Sequence, residues 1–376
     1  MELFAHPIGL FTHLGNQFLL KGVNWFGFET ETFSPHGLWS ASMDYLLDFM
    51  KREGFNAIRV PISAEFALNM EKKPTGIDYT LNPDLRGKNA GEVLDVLVKK
   101  CKRRGILIMP SMHRMVGTGG IPELWYTNDF PESKIIEAWK HIVSRYKNEP
   151  TLFAIDVKNE PHGPATWGDG VRQTDWAMAA ERFGNAIHQW NPKLLIFVEG
   201  IAKTKRHEST WWGGALDKVK ERPVRLRVPH KLVYSPHVYG PDVFMIPKFL
   251  DPKVFPDGLP SVWDAEWGYI RKSRIAPIVV GEWGGRNQEG TMDRVWHEKI
   301  AAYFVKNGFL CSTFYWSLNP NSGDTGGILL DDWKTPNRDK LRLLRKVCPN
   351  PTDLQRIKPV VLDMPLVLSS EHWGQG

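Results

Sequence analysis

The chain has 376 residues and a mass of 43.0 kDa, and 42% of it is hydrophobic, enough for a substantial core in one large domain or two smaller ones and too much for global disorder. No apolar run reaches the roughly eighteen residues that a membrane-spanning helix needs, so no membrane partner is expected. The formal charge of +6 and pI near 9.0 would suit nucleic acid, but the cations are dispersed, and the densest run, Lys99 to Arg104, ends a predicted helix where positive charge favours the dipole; no nucleic-acid partner is expected.

In chain order, Phe11–Leu19 reads as a small hairpin turned at Gly15 and Asn16, able to plug the bottom of a barrel. Phe18–Trp25 is the first core strand. Ser40–Glu53 has helical spacing in Met43, Leu46, Leu47 and Met50 and is closed by Gly54. The strand Asn56–Val60 carries Arg59 and stops before Pro61. The alternation repeats: helix Glu92–Arg104 closed by Gly105, strand Ile106–Met109 leading to Ser111, His113 and Arg114, helix Ser133–Tyr146, and strand Leu152–Val157 stopping on Asn159, Glu160 and Pro161. Then come helix Thr174–Trp190, strand Leu194–Val198 ending at Glu199, strand Leu232–Ser235 leading to His237 and Tyr239, and helix Trp263–Arg271. The run Ala276–Trp283 delivers Glu282 before a Gly-Gly turn. Helix Asp293–Lys306, strand Cys311–Tyr315 ending at Trp316, and helix Arg338–Val347 complete the series.

Eight strands alternating with helices, without a linker, predict an α/β fold: a single (β/α)8 TIM barrel with a short N-terminal hairpin. A doubly wound sheet is the alternative, but its Gly-rich phosphate turn is not found after the first strand. Residues 1–349 are assigned to the barrel. Residues 350–376 form a C-terminal tail whose apolar runs, Val360 to Leu362 and Leu366 to Leu368, could pack back on it.

Barrel active sites lie at the C-terminal ends of strands. Those ends carry Trp25, Arg59, His113, Asn159, Glu160, His237, Tyr239, Glu282 and Trp316. A single strand-end Glu reads more simply as a loop carboxylate paired with a nearby cation. Two in matching contexts point to an acid/base pair across one cleft, the inventory of glycoside hydrolysis. In that reading Glu160 donates a proton to the leaving oxygen and Glu282 attacks the anomeric carbon. Arg59 holds Glu282 as the anion, Tyr239 orients it, and Asn159 donates to the sugar 2-hydroxyl. His113 and His237 position sugar hydroxyls or tune Glu160, and Trp316 is the platform beneath the ring. Taken singly, Arg59, His113 and Trp316 are as well explained as structural residues; their common rim favours the catalytic reading.

Sixteen tryptophans are the most informative count, because indole is usually core yet also stacks on the C–H faces of sugars. Cys101, Cys311 and Cys348 are too few and scattered for a disulfide framework or zinc site; they read as free or buried thiols, though one pair could bridge. No cofactor or metal is expected.

The segments GVNWFGFET, NAIRVP, KNEPHG, LVYSPHVYGPD, VVGEWGG and FYWSLNPNSGDTGGILLDDW resemble glycoside hydrolase family 5, in particular its endo-β-1,4-glucanase (cellulase) subgroup, from about Gly22 to about Val347. The resemblance implies a retaining (β/α)8 enzyme with Glu160 as acid/base, Glu282 as nucleophile, and Arg59, His113, Asn159, His237, Tyr239 and Trp316 in support. It also places Trp25, His162 and Trp212 at substrate-binding positions. Ser111 stands where many members have Asp, Leu318 where Trp is usual, and Ala215 where Asn is common; these bear on subsite affinity, not on the reaction.

The expected substrate is a β-1,4-glucan polysaccharide or cello-oligosaccharide. The alternatives are β-mannan or xyloglucan cleaved by the same machinery, or a non-catalytic carbohydrate-binding protein on this fold. A monomer is expected. So is secretion, since polymeric glucan lies outside cells, although MELFAHPIGLFTH has no signal-peptide pattern and leaves open an intracellular chain or one whose signal has been removed. A mildly acidic activity optimum follows from Glu160 having to hold a proton beside an ionised Glu282.

Overall fold

A computed structural model describes residues 2–309 and 311–356. Its strands are β1 Leu3–His6, β2 Gly9–Thr12, β3 Gln17–Phe18, β4 Leu20–Asn24, β5 Ala57–Ser63, β6 Leu107–Arg114, β7 Ala154–Asp156, β8 Leu195–Val198, β9 Leu232–Tyr234, β10 His237–Tyr239, β11 Val280–Gly284 and β12 Ser312–Tyr315. The helices are α1 Met43–Arg52, α2 Ala64–Leu68, α3 Ala90–Arg104, α4 Glu132–Arg145, α5 Trp176–Trp190, α6 Leu259–Trp263, α7 Tyr269–Lys272, α8 Met292–Lys306 and α9 Arg338–Val347.

The parallel sheet runs in the order β10-β11-β12-β4-β5-β6-β7-β8-β9. Because β9 and β10 are one strand interrupted at Ser235 and Pro236, the two ends of that order meet. Tyr234 bridges Ile278, and the Gly281 N–H donates to the Pro236 carbonyl, so the sheet closes into the expected barrel. Side chains divide by the strand's period of two. Outward residues such as Ile58, Val60, Ile108, Ile155 and Ile196 join the apolar faces of the helices in one large core. Inward residues Ala57, Leu107, Met109, Ala154, Leu195, Phe197, Val233, Val279 and Phe314 form a second core that fills the lower barrel. Gly22 is glycine because a Cβ there would lie 2.2 Å from Phe314 Cδ1, inside the ring that fills this layer.

The predicted hairpin exists as β2 and β3 but is part of a three-stranded antiparallel sheet with β1. Leu3, Ala5, Leu10 and Phe18 of this sheet belong to the inner core, so it does stopper the lower end. Strand β5 runs through Pro61 to Ser63 rather than stopping at Val60. Arg59 faces β4, so Pro61 does too, and β4 has already ended at Asn24; no neighbour there asks Pro61 for an N–H. The single helix expected at Trp263–Arg271 is a longer helical run, α6 and α7 joined by a π-helical stretch, Asp264–Gly268. Helix α3 starts two residues earlier, at Ala90, behind a capping box in which Asn89 and Glu92 exchange hydrogen bonds, and ends on Gly105 at φ 65°.

Cys311 and Cys348 are joined in a disulfide, which corrects their reading as free thiols; only Cys101, buried in α3, fits that description. The first part of the tail packs on the barrel: Thr352 exchanges hydrogen bonds with the Leu19 backbone, and Asp353 pairs with Lys51. The runs Val360 to Leu362 and Leu366 to Leu368 lie outside the described residues.

Candidate active site

Where the apolar layers stop, the inward positions turn polar. Arg59 on β5 is fully buried and spends its guanidinium on six acceptors. Nε donates to Asp156 Oδ2 at 2.8 Å, and Nη1 donates to Asn24 Oδ1 at 2.9 Å and Glu282 Oε1 at 2.5 Å. Nη2 reaches Ser111 Oγ at 2.9 Å, Asn159 Oδ1 at 2.8 Å and Glu199 Oε1 at 3.2 Å. Three carboxylates therefore share one cation; burial opposes its charge, and together they outweigh that cost.

Glu282 is fixed from three sides. Besides Arg59, the Tyr239 hydroxyl donates to its Oε2 at 2.5 Å, and His113 Nε2 lies 3.4 Å from Oε1. Burial disfavours its charge, but His237 and Arg59 outweigh that cost and hold the carboxyl well below the ordinary range, so it is an anion. Burial pushes His113 down to about 3, which leaves that ring neutral. His113 thus borders Glu282, with its Nδ1 3.3 Å from Ser111 Oγ, and it does not reach Glu160 as one of its two expected roles required.

Glu160 sits just past β7 with φ 53°, a left-handed conformation that side chains other than Gly seldom adopt and that turns its carboxyl toward the cleft's other side chains. His237 Nδ1 lies 3.0 Å from Glu160 Oε1 and 3.5 Å from Glu282 Oε2. One oxygen of each of these glutamates and a nitrogen of His237 all fall within 4.8 Å of one another. Asn159 accepts from Arg59 through Oδ1, and its buried Nδ2 has no hydrogen-bond partner among the described residues, a donor left over for a ligand.

Asp156, Glu199 and His237 also offer three atoms within 4.8 Å, a spacing a metal could use. The Arg59 guanidinium already bonds both of those carboxylates, so the protein supplies the positive charge there itself.

Aromatic rings extend the site on both sides. Trp316 stacks between His113, at 5.7 Å, and Phe26, at 5.4 Å; the line continues through His36 to Trp39, which is 39% exposed. On the Glu160 side Trp212, 46% exposed, lies flat on His162 at 3.7 Å. His162 Nδ1 donates to the Glu160 carbonyl, tying this pair to the carboxyl. Trp25 departs from expectation: it is 1% exposed and its indole N–H donates to the His36 carbonyl, so it is core that supports the loop rather than a sugar platform. The exposed aromatic nearest in sequence is Trp39.

Asp156, Glu199, Asn24, Phe26, His36 and Trp39 were not assigned from sequence. Asp156 as the lone acid in an apolar strand was a usable signal, and so was Glu199 at a strand end; the loop aromatics offered none. Ala215 and Leu318, where the family pattern has larger residues, are both buried.

Residues 15–322 match Cellulase (glycosyl hydrolase family 5). An endoglucanase from Paenibacillus polymyxa is 48% identical over 350 residues, 92% of this chain and 85% of that protein. The fold superposes on an endocellulase from Pyrococcus horikoshii in complex with cellotetraose with a TM-score of 0.87 and 40% identity, covering 92% of this chain and 99% of the other. The catalytic domain of the major endoglucanase from Xanthomonas campestris pv. campestris gives a TM-score of 0.86 and 38% identity, covering 93% of this chain and all of that one (100%). With a match of this extent in sequence and of this closeness in fold, the chain belongs to glycosyl hydrolase family 5.

Proposed function

We propose that this chain is an endo-acting β-1,4-glucanase that cleaves cellulose or soluble β-glucans with retention of configuration. The observation that carries the reading is the approach of Glu160 and Glu282 oxygens to within 4.8 Å, the close spacing of a double displacement rather than the roughly 6.5–9.5 Å that leaves room for a water between acid and base. In the first step Glu282 attacks the anomeric carbon while Glu160 protonates the leaving oxygen. In the second, water attacks that carbon as Glu160 removes its proton and Glu282 departs. Arg59 and Tyr239 keep Glu282 anionic and aimed. The unpartnered Asn159 Nδ2 donates to the sugar 2-hydroxyl, a contact that strengthens as positive charge develops on the ring. Trp316, Trp39 and the Trp212–His162 stack form a rail for sugar rings on both sides of the cut, which suits attack within a chain.

The disulfide and a polymeric substrate both favour a secreted, oxidising setting. The protein acts as a monomer, since one barrel carries the whole set of groups. Proton NMR of the first products from cellohexaose tests the reading: the β-anomer is expected, and the α-anomer first would overturn it. Rates on carboxymethylcellulose, glucomannan and xyloglucan, measured side by side, test the substrate, with carboxymethylcellulose expected to be fastest.

A further inference from the structure

The mechanism just given leaves two buried carboxyls of the floor without a task, Asp156 and Glu199, and of these Glu199 is the one bonded to Glu160. Glu199 follows β8, is fully buried, and makes three contacts with the machinery. Its Oε2 accepts the Glu160 backbone N–H at 2.7 Å. Its Oε1 lies 3.1 Å from His237 Nε2 and 3.2 Å from Arg59 Nη2. The loop carrying Trp211 and Trp212 closes over it, and Gly213 permits this: a Cβ there would sit 2.3 Å from Glu199 Oε2.

Two features need such a group. Glu160 holds a left-handed backbone, which persists only where its surroundings fix it. His237 faces Glu160 and Glu282 through Nδ1, so its other nitrogen decides its charge. We infer that Glu199 is a positioning residue that locks the backbone of Glu160 and, as the buried counter-charge of His237, keeps that imidazole protonated so that its Nδ1–H faces negative charge throughout the cycle.

This rests on the reaction proposed above. In the first step the bond from Glu282 to the anomeric carbon forms, the bond to the leaving oxygen breaks, and the proton of Glu160 goes to that oxygen. The negative charge passes from Glu282 to Glu160; the second step, with water, returns it. His237 neither gains nor loses a proton, and it lies beside both places the charge occupies.

The surrounding charges agree. Burial opposes the imidazolium, but Glu199 and Glu282 push His237 well above its ordinary range. Burial and the neighbouring Asp156 push Glu199 up, while His237 and Arg59 pull it back down, so between the two partners the proton rests on His237 and Glu199 is the anion that faces it. The other groups facing the pair are Arg59, Lys158, Tyr239 and the neutral His113.

Glu199→Gln retains an oxygen for the Glu160 N–H and removes the charge. On cellohexaose kcat/KM is expected to fall at least about tenfold. On dinitrophenyl β-cellobioside, whose leaving group needs no proton, the acid limb of the pH profile reports Glu282 and is expected to move up by about one pH unit or more, because Glu282 loses a cationic neighbour. A rate loss with that limb unmoved, the signature of a merely structural residue, overturns the inference. Nitrogen NMR of histidine-labelled wild-type protein does not depend on the variant folding: both His237 nitrogens are expected to carry protons at about pH 7, and a neutral ring there overturns the inference as well. Glu282→Ala separates the two levels. If it turns over substrate, the reaction reading fails; if it is dead while the Glu199→Gln limb stays in place, only the role of Glu199 fails.

Discussion

The two ends of the barrel interior are built on one geometric rule and filled with opposite chemistry. On β5 the inward positions run from Ala57 to Arg59; on β6 from Leu107 and Met109 to Ser111 and His113; on β8 from Leu195 and Phe197 to Glu199 just beyond the strand. Below, the side chains pack against the N-terminal sheet and need no partners. Above, Arg59 alone serves three carboxylates, Asn159 keeps an unpartnered amide, and Glu160 bends out of the usual backbone range. The lower end is organised for stability and the upper end for charge, a division expected of barrels that act at one face.

The sharpest test of that division is a pair of truncations. Glu282→Ala is expected to lower turnover on carboxymethylcellulose by at least about a thousandfold with little change in melting temperature. Phe197→Ala, in the lower layer, is expected to cost about 3–5 kcal/mol in denaturant unfolding while kcat of the folded protein stays near wild type. If the two exchanged phenotypes, the comparison would be wrong.

The Cys311–Cys348 bond, which ties the start of β12 to the end of α9, closes a span of 37 residues and is expected to contribute about 4 kcal/mol through the unfolded chain. Cys311→Ala with Cys348→Ala should show that loss in urea melts, with activity unchanged below the transition.

Glu29 sharpens the contrast from the upper side. Burial pushes its carboxyl up from 4.5 to about 7, even though the Gly27 N–H donates to it at 2.7 Å. Below about pH 4.5 both folded and unfolded chains hold the proton; between there and about pH 7 only the folded chain does, so stability falls as pH rises across that window. Glu29→Gln removes that fall and should be more stable than wild type by about 3 kcal/mol at about pH 8, with no gain near pH 4. Equal gains at both pH values would refute the protonation argument.

The smallest effect belongs to the rail. Trp212→Ala is expected to raise KM for cellohexaose about fivefold, roughly 1 kcal/mol, with kcat nearly unchanged. A fall in kcat alone would place Trp212 in the chemistry instead.

Much of this was legible before any coordinates because strand ends in a barrel are read from short apolar runs punctuated by Pro and Gly. Glu160 before Pro161 and Glu282 before a Gly-Gly turn stand out for that reason, and Arg59, His237 and Tyr239 follow. Trp25 misled because its place beside a strand end says nothing of whether the ring faces the cleft or the loop behind it; the His36 carbonyl settles it inward. Trp39 was silent because it lies in a loop with no period to orient it. Glu199 reads in the sequence as a strand end and no more, since its contacts with Glu160, His237 and Arg59 join residues 38 to 140 positions away. The disulfide could not be chosen among three thiols until β12 and α9 were seen side by side.

The sheet that stoppers the barrel's foot leaves the reacting carbon reachable from the mouth alone. Under the proposed mechanism, the water that frees a sugar from Glu282 must occupy the place the departing chain has just left. A short oligosaccharide lingering in that place competes with water, and its hydroxyl, once accepted, rebuilds the linkage. Concentrated digests should therefore accumulate some products longer than the starting oligosaccharide, in proportion to how much of it is present.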